Sequence, residues 1–188
     1  MTGAVDTMAT TIVFGGVPVA LRETAATATI GHFATSRLGG SVTAGGIVAG
    51  SIEGRGVHGG GTIGGSVSYL ALLERARRPF VGVSASLGTA LLRGSADDGH
   101  THSWSAWDVR GGVIAGKTLG RFVPYLAARV FGGPVFWYRA GAAVTGGDRY
   151  HVTAGVGLIL RLPGRLDVTL EGMPLGEQSA TAGVSLRF

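Results

Sequence analysis

Aliphatic and small residues alternate along the last third of the chain. From 151 to 162, every second residue is aliphatic or alanine, and the alternation returns at 165–173 and 179–188. Because successive side chains of a β-strand point to opposite faces, this pattern predicts three strands, each with one apolar face. Pro163-Gly164 and the loop at 174–178 separate the three segments, which indicates a meander of antiparallel strands.

Seven further strands are predicted upstream of this meander. They lie at 10–16, 24–33, 40–53, 61–73, 80–93, 103–116 and 121–134. The total of about ten is even, as in bacterial membrane barrels, with eight strands as the alternative count. The segment 66–78 also fits an amphipathic helix that ends before Pro79.

The predicted connections alternate in length along the chain. Those near 54–60, 94–102 and 135–150 are long, whereas the joins at 34–39, 74–79, 117–120 and 163–164 are short. Bacterial barrels have short periplasmic turns and longer outer loops. We therefore expect both termini to lie in the periplasm.

Composition indicates which face of the strands points outward. Gly accounts for 35 of 188 residues, and only 14% of residues are charged. The second face carries Gly, Ser, Thr and Ala instead of the Lys and Glu expected on a surface that faces water. No apolar run approaches the ~20 residues of a membrane helix. The prediction is a single domain over 1–188, an all-β transmembrane antiparallel up-and-down β-barrel with its aliphatic face toward lipid.

Aromatic residues cluster near the predicted strand ends, as interfacial anchors do. Those expected at the outer end are Trp104, Trp107, Phe136, Trp137, Tyr138 and Tyr150, and those at the inner end are Phe122 and Phe188.

The last nine residues, Ala180–Phe188, alternate and end in Phe. They resemble the closing strand of bacterial outer-membrane β-barrel proteins. The resemblance implies an assembly signal at Val184, Leu186 and Phe188, recognition by the barrel-assembly machinery, and a Gram-negative outer membrane with its lipid and lipopolysaccharide as surroundings. The sequence start, Met1–Asp6, shows no signal peptide.

Charged residues on the predicted inward face form a candidate lumen network. They are Asp108, Arg110, Arg129, Arg161, Asp167, Glu171 and Arg187. A hairpin turn at Thr118-Leu119 would place Asp108 opposite Arg129. A turn centred on Gly164 would place Arg161 opposite Asp167 and Gly157 opposite Glu171. Such charges either provide successive binding positions for a small ion that crosses the lumen, or neutralise one another inside a filled barrel.

A second candidate cluster lies in the predicted outer loops. It comprises Asp97, Asp98, His100, His102, Asp148 and His151. His beside carboxylates could bind a divalent metal at the barrel mouth. In strand count and residue type, though in no longer motif, the set is similar to the omptin outer-membrane proteases. A lipid-modifying hydrolase that uses His102 and Ser103 is a further alternative.

The main functional hypothesis is a structural barrel or a narrow passive pore without cofactor, metal or assigned catalytic residues. The alternatives are an enzyme at the barrel mouth and an adhesion or assembly subunit that binds a partner through its loops. The chain is taken as a monomer. A nucleic-acid partner is not expected, because the basic residues are scattered and no stacking aromatic pattern accompanies them.

Overall fold

Antiparallel β-strands make up most of the protein. The computed structural model describes residues 1–57, 59–95, 101–139 and 142–187. The strands are β1 (Thr2–Phe14), β2 (Val17–Phe33), β3 (Leu38–Ile52), β4 (Arg55–Val57), β5 (Gly60–Leu72), β6 (Phe80–Ser95), β7 (Thr101–Gly116), β8 (Phe122–Gly132), β9 (Pro134–Arg139), β10 (Ala142–Asp148), β11 (Val152–Leu162), β12 (Leu166–Leu175) and β13 (Gln178–Leu186). A 3₁₀ turn, Pro163–Arg165, joins β11 to β12. Within the described ranges, no helix has the length and hydropathy of a membrane span.

The strands close into a barrel. β13 returns to β1 and pairs with it from Thr2–Ser185 to Ala9–Gln178. Three barrel strands are interrupted. β4 and β5 both pair with β3 in the same register and form one barrel strand. In the same way, β8 and β9 both pair with β7 in one register. β10 and β11 together form the next barrel strand, which pairs with β9 and β8. Counted in this way, the described part of the chain forms a ten-stranded antiparallel barrel, as the sequence predicted.

The two ends of the barrel differ in strand number. Both chain termini lie at one end, here called the terminal end, where the Met1 amino group donates to the Leu186 carbonyl at 2.9 Å. At the opposite end, here called the far end, the hairpin of β12 and β13 stops short and β10 pairs directly with β1. The far ring of the described residues therefore has eight strands: β1, β2, β3, β4, β6, β7, β9 and β10.

The outward face is aliphatic, as predicted. Val156 is 59% exposed, and Val184 and Leu170 are also exposed. The residues between them point inward and are small, so that Ser41 and Ser66 share a hydrogen bond of 2.8 Å across two strands. Around the terminal half, large aliphatic side chains therefore point away from the barrel axis, and glycine and hydroxyl residues crowd it.

A hydrophobic core fills the far half of the lumen. Its buried members are Ile12, Phe14, Val19, Leu21, Ala25, Ile47, Leu92, Trp104 and Val135. The Phe14 ring packs edge-on against Trp104 with centroids 5.6 Å apart, and Trp137 lies 5.5 Å from Phe14. Trp104 and Trp137 were predicted as interfacial anchors. That prediction is wrong, because Trp104 pairs in register with Trp137 and Leu92 on the inward face.

Two of the predicted long outer loops are strands. The ranges 54–60 and 135–150 contain β4, β9 and β10, and the first strand runs over Thr2–Phe14 rather than 10–16. Glycine at these strand positions permits close packing. A Cβ on Gly146 would lie 2.6 Å from the Phe14 ring, and one on Gly133 would lie 1.8 Å from the Trp107 carbonyl oxygen. The helical alternative for 66–78 is also wrong, since β5 and a turn occupy it.

Candidate functional site

The lumen is crossed by an ion pair. Arg110, on β7, donates from Nη1 and Nη2 to the two carboxylate oxygens of Glu177 at 2.6 and 3.0 Å, and its Nε donates to Asp108. Glu177 lies in the turn between β12 and β13, across the barrel from β7, and is 3% exposed. The Arg110 guanidinium also lies over the Phe131 ring, 5.2 Å from the ring centroid. This bidentate pair braces opposite walls.

A second inward group joins three neighbouring strands. Arg129 Nη2 donates to Glu171 Oε1 at 2.6 Å, and the Tyr125 hydroxyl donates to Glu171 Oε2 at 3.0 Å. The predicted pairing of Asp108 with Arg129 is wrong, since Arg129 lies opposite Gly112.

The turn between β7 and β8 explains the wrong register. Leu119 and Phe122 exchange backbone hydrogen bonds around Gly120, whose φ is +64°. Glycine adopts this left-handed conformation readily, so the reversal occurs at Gly120 instead of at Thr118-Leu119. The pairing register differs from the predicted one by an even number of residues. The inward-facing residues therefore still point inward, but they lie opposite different residues.

The third group lies at the terminal end. Arg161 is opposite Asp167 and Gly157 is opposite Glu171, as predicted. Arg187 Nε forms an ion pair with Asp167 Oδ2 at 3.0 Å, and the Arg187 side chain is 53% exposed. The seven predicted lumen residues therefore divide among three separate clusters.

The sequence prediction missed Glu23 and Glu177, although a signal for both was present. In β2, Glu23 continues the inward series of Val19 and Leu21, and Glu177 continues the inward series of Ser179. The predicted strands began at 24 and 179, whereas β2 begins at Val17 and β13 at Gln178. Extending the alternating pattern toward the N-terminus of each predicted strand would have placed both carboxylates in the lumen.

These residues surround a small cavity in the far half, of about 130 Å³. Four carboxylates line it, from Glu23, Asp108, Asp148 and Glu177, together with Arg110 and the core residue Trp104. Arg110 is paired with both Asp108 and Glu177. Within the described part of the chain, neither Glu23 nor Asp148 makes a hydrogen bond or an ion pair.

A larger cavity, of about 640 Å³, opens at the terminal end. Its inner wall carries hydroxyl side chains that bond to one another across strands, including Thr2 with Ser185 at 2.8 Å. We call this cavity the vestibule.

The predicted loop cluster is not assembled by the described residues. Asp97, Asp98 and His100 lie outside the residues that the structure describes, as does the side chain of His102. Asp148 faces the lumen cavity, whereas His151 is exposed with Nδ1 3.2 Å from the Phe131 carbonyl oxygen. Among the described residues, no group of His and carboxylate side chains is arranged to hold a metal.

The predicted assembly signal lies on the outward face. Val184 and Leu186 are both exposed on β13, and Phe188 lies outside the described residues.

Two turns at the terminal end are joined by a carboxylate. The Thr118 hydroxyl donates to Glu74 Oε2 at 2.6 Å and the Thr118 backbone N–H donates to Oε1 at 2.8 Å. These hydrogen bonds, from the hydroxyl first and the backbone second, lower the pKa of Glu74 below its ordinary value. Lys117 also donates to the carbonyl of Arg75 at 2.6 Å, which holds the neighbouring turn.

Comparison with known proteins identifies the fold. No protein-family model matches the chain, and no curated protein is significantly similar in sequence. The translocator domain of the autotransporter NalP from Neisseria meningitidis superimposes with a TM-score of 0.57 at 14% identity, over 100% of this chain and 87% of that one. The outer membrane protease OmpT from Escherichia coli gives 0.53 at 9% identity, over 97% and 93%. The chain thus has the closed antiparallel β-barrel fold of outer-membrane β-barrel proteins.

Proposed function

We propose that this protein is a structural outer-membrane barrel whose lumen is closed at the far end in its resting form. The observation that carries the proposal is the buried aromatic cluster of Phe14, Trp104 and Trp137, which lies where the barrel has eight strands. Barrels of about eight strands are narrow enough for side chains to fill them.

The ion pairs beneath this cluster support the same conclusion. The bond between Arg110 and Glu177 spans the bore, and the bond between Arg129 and Glu171 narrows it further. A bidentate guanidinium–carboxylate pair is rigid, and the two guanidinium N–H groups that bind the carboxylate are not free to bind a passing ion.

The outward face supports a location in a membrane. Aliphatic side chains such as Val156, Leu126 and Ile30 are exposed around the barrel, where water would be unfavourable and lipid is not. With the family's usual orientation, the terminal end faces the periplasm and the partners are membrane lipid, lipopolysaccharide and the assembly machinery.

Planar-bilayer recording tests the closed lumen. We expect the purified wild-type barrel to give no steady single-channel steps. Replacing Phe14, Trp104 and Trp137 together by Ala should produce measurable ion leakage, because the rings that fill the far end are removed. The matched control is Trp107→Ala, which removes an outward-facing indole and should leave the bilayer silent.

Folding is monitored on the same samples by heat-modifiable gel mobility. Steady steps from the wild-type protein would contradict the proposal, as would leakage from Trp107→Ala equal to that of the triple variant.

A further inference from the structure

Two buried polar atoms in the small cavity lack a partner. Trp104 is 3% exposed and Thr10 is 8% exposed, and neither the Trp104 Nε1–H nor the Thr10 hydroxyl has a hydrogen-bond partner among the residues that the structure describes. Both residues line the same cavity of about 130 Å³. Buried polar groups are almost always hydrogen-bonded, so an orphaned donor beside a cavity indicates that something else occupies it.

The charges around this cavity do not balance. Arg110 is saturated by Asp108 and Glu177, and this leaves Glu23 and Asp148 without an ionic partner among the described residues. A buried charge that stays unpaired is strongly unfavourable. A cation bound near Glu23 and Asp148 would offset part of this excess negative charge.

The remaining wall determines the kind of cation. Leu21, Leu92 and Val135 line the cavity with carbon, and the carboxylates of the described residues are not grouped as metal ligands. Carbon walls favour an alkyl group over a hydrated metal ion, because an ion would have to shed its water there. The Trp104 indole needs an oxygen acceptor on the same ligand.

We propose that this cavity binds a small organic amine that carries a hydroxyl group, an amino alcohol. Its ammonium group lies between Glu23 and Asp148, and its oxygen accepts from Trp104 Nε1–H and bonds to the Thr10 hydroxyl. The volume admits a molecule of only a few heavy atoms. This site is independent of whether the far end conducts ions.

The test follows the indole N–H signals of the detergent-solubilised full chain by ¹⁵N NMR. The Trp104 signal is assigned from its loss in Trp104→Phe. Titration with 2-aminoethanol hydrochloride should shift this signal to saturation. Sodium chloride at equal ionic strength should not shift it. Propylamine, which has the same size but no oxygen, should bind about tenfold more weakly, because it offers no acceptor.

Variants separate the site from a general charge effect. Glu23→Gln combined with Asp148→Asn should weaken binding by more than about tenfold, because charge-assisted hydrogen bonds are lost. Asp6→Asn is the control, since Asp6 is an inward carboxylate outside this cavity. Heat-modifiable mobility shows that each variant is folded.

Several outcomes would overturn the assignment. They are an unmoved Trp104 signal, an equal response to sodium chloride or propylamine, and an equal loss in Asp6→Asn. Glycerophosphoethanolamine, the soluble form of a lipid headgroup, should leave the signal unchanged because the carboxylates repel its phosphate. A shift with this compound would overturn the proposal of a free amine.

Discussion

The far half and the terminal half of the lumen share β1, β2, β3, β6 and β7 but are filled differently. In the far half, inward positions carry Ile12, Phe14 and Trp104, and these side chains exclude water. In the terminal half, inward positions carry Thr2, Thr29 and Ser41, and a vestibule of about 640 Å³ remains. Alternation sets which face points inward, whereas side-chain volume sets whether that face closes the bore.

The charged groups follow the same division. The far-half pair of Arg110 with Glu177 is largely buried, and the terminal pair of Arg187 with Asp167 is half exposed. Water screens the second pair and not the first, so their contributions to stability should differ.

Removing the cation of each pair gives the largest expected difference. Arg110→Gln leaves Glu177 buried without a partner, and we expect the free energy of unfolding to fall by about 3–5 kcal/mol. Arg187→Gln should cost at most about 1 kcal/mol, because its side chain is exposed. Urea unfolding in detergent, followed by gel mobility, measures both. Equal losses would contradict the division of the lumen into a buried and a wet half.

Truncating leucines on the two faces of β6 sharpens the comparison. Leu92 is buried in the far core, and Leu87 faces outward on the same strand. We expect Leu92→Ala to cost about 2–5 kcal/mol because it leaves a cavity. Leu87→Ala should cost clearly less, since surrounding lipid or detergent can fill the space. Urea unfolding in detergent measures both variants. A larger loss of unfolding free energy for Leu87→Ala than for Leu92→Ala would contradict the assignment of the inward and outward faces.

The smallest effect is expected outside the lumen, at the turn that contains Glu74. Because hydrogen bonds from Thr118 lower its pKa, the carboxylate stabilises the folded barrel above its usual pKa of 4.5, and this contribution disappears as pH falls through the lowered value. Glu74→Gln should therefore unfold at a slightly lower temperature than wild type at pH 7, and the gap should close as the pH falls below the lowered pKa of Glu74.

Thr118→Val, which removes the hydroxyl donor, should reproduce part of this pH dependence. A gap between wild type and Glu74→Gln that stays constant with pH would show that the hydrogen bonds do not act through ionisation.

The sequence predicted the fold and the orientation of the faces, because alternation is a local property. The C-terminal hairpin shows this best, since the turn at Gly164 is short and the pairing of Arg161 with Asp167 follows from it. The strand ends were harder to predict. Gly133 and Gly146 resemble loop residues, and only the neighbouring strand shows that a side chain would not fit there.

The candidate site depended on those ends. A turn displaced to Gly120 moved Arg129 away from Asp108, and strands started too late left out Glu23 and Glu177. The pairing of Arg110 with Glu177 joins residues 67 positions apart. Such a contact depends on the closure of the whole barrel, which no local pattern contains.

The direct pairing of β10 with β1 above the last hairpin has a geometric consequence. Because barrel diameter grows roughly linearly with strand number, an eight-stranded ring is about four-fifths as wide as a ten-stranded one. The protein is therefore a truncated cone and not a cylinder. In a bilayer, a cone displaces fewer lipids from the leaflet around its narrow end than from the opposite leaflet.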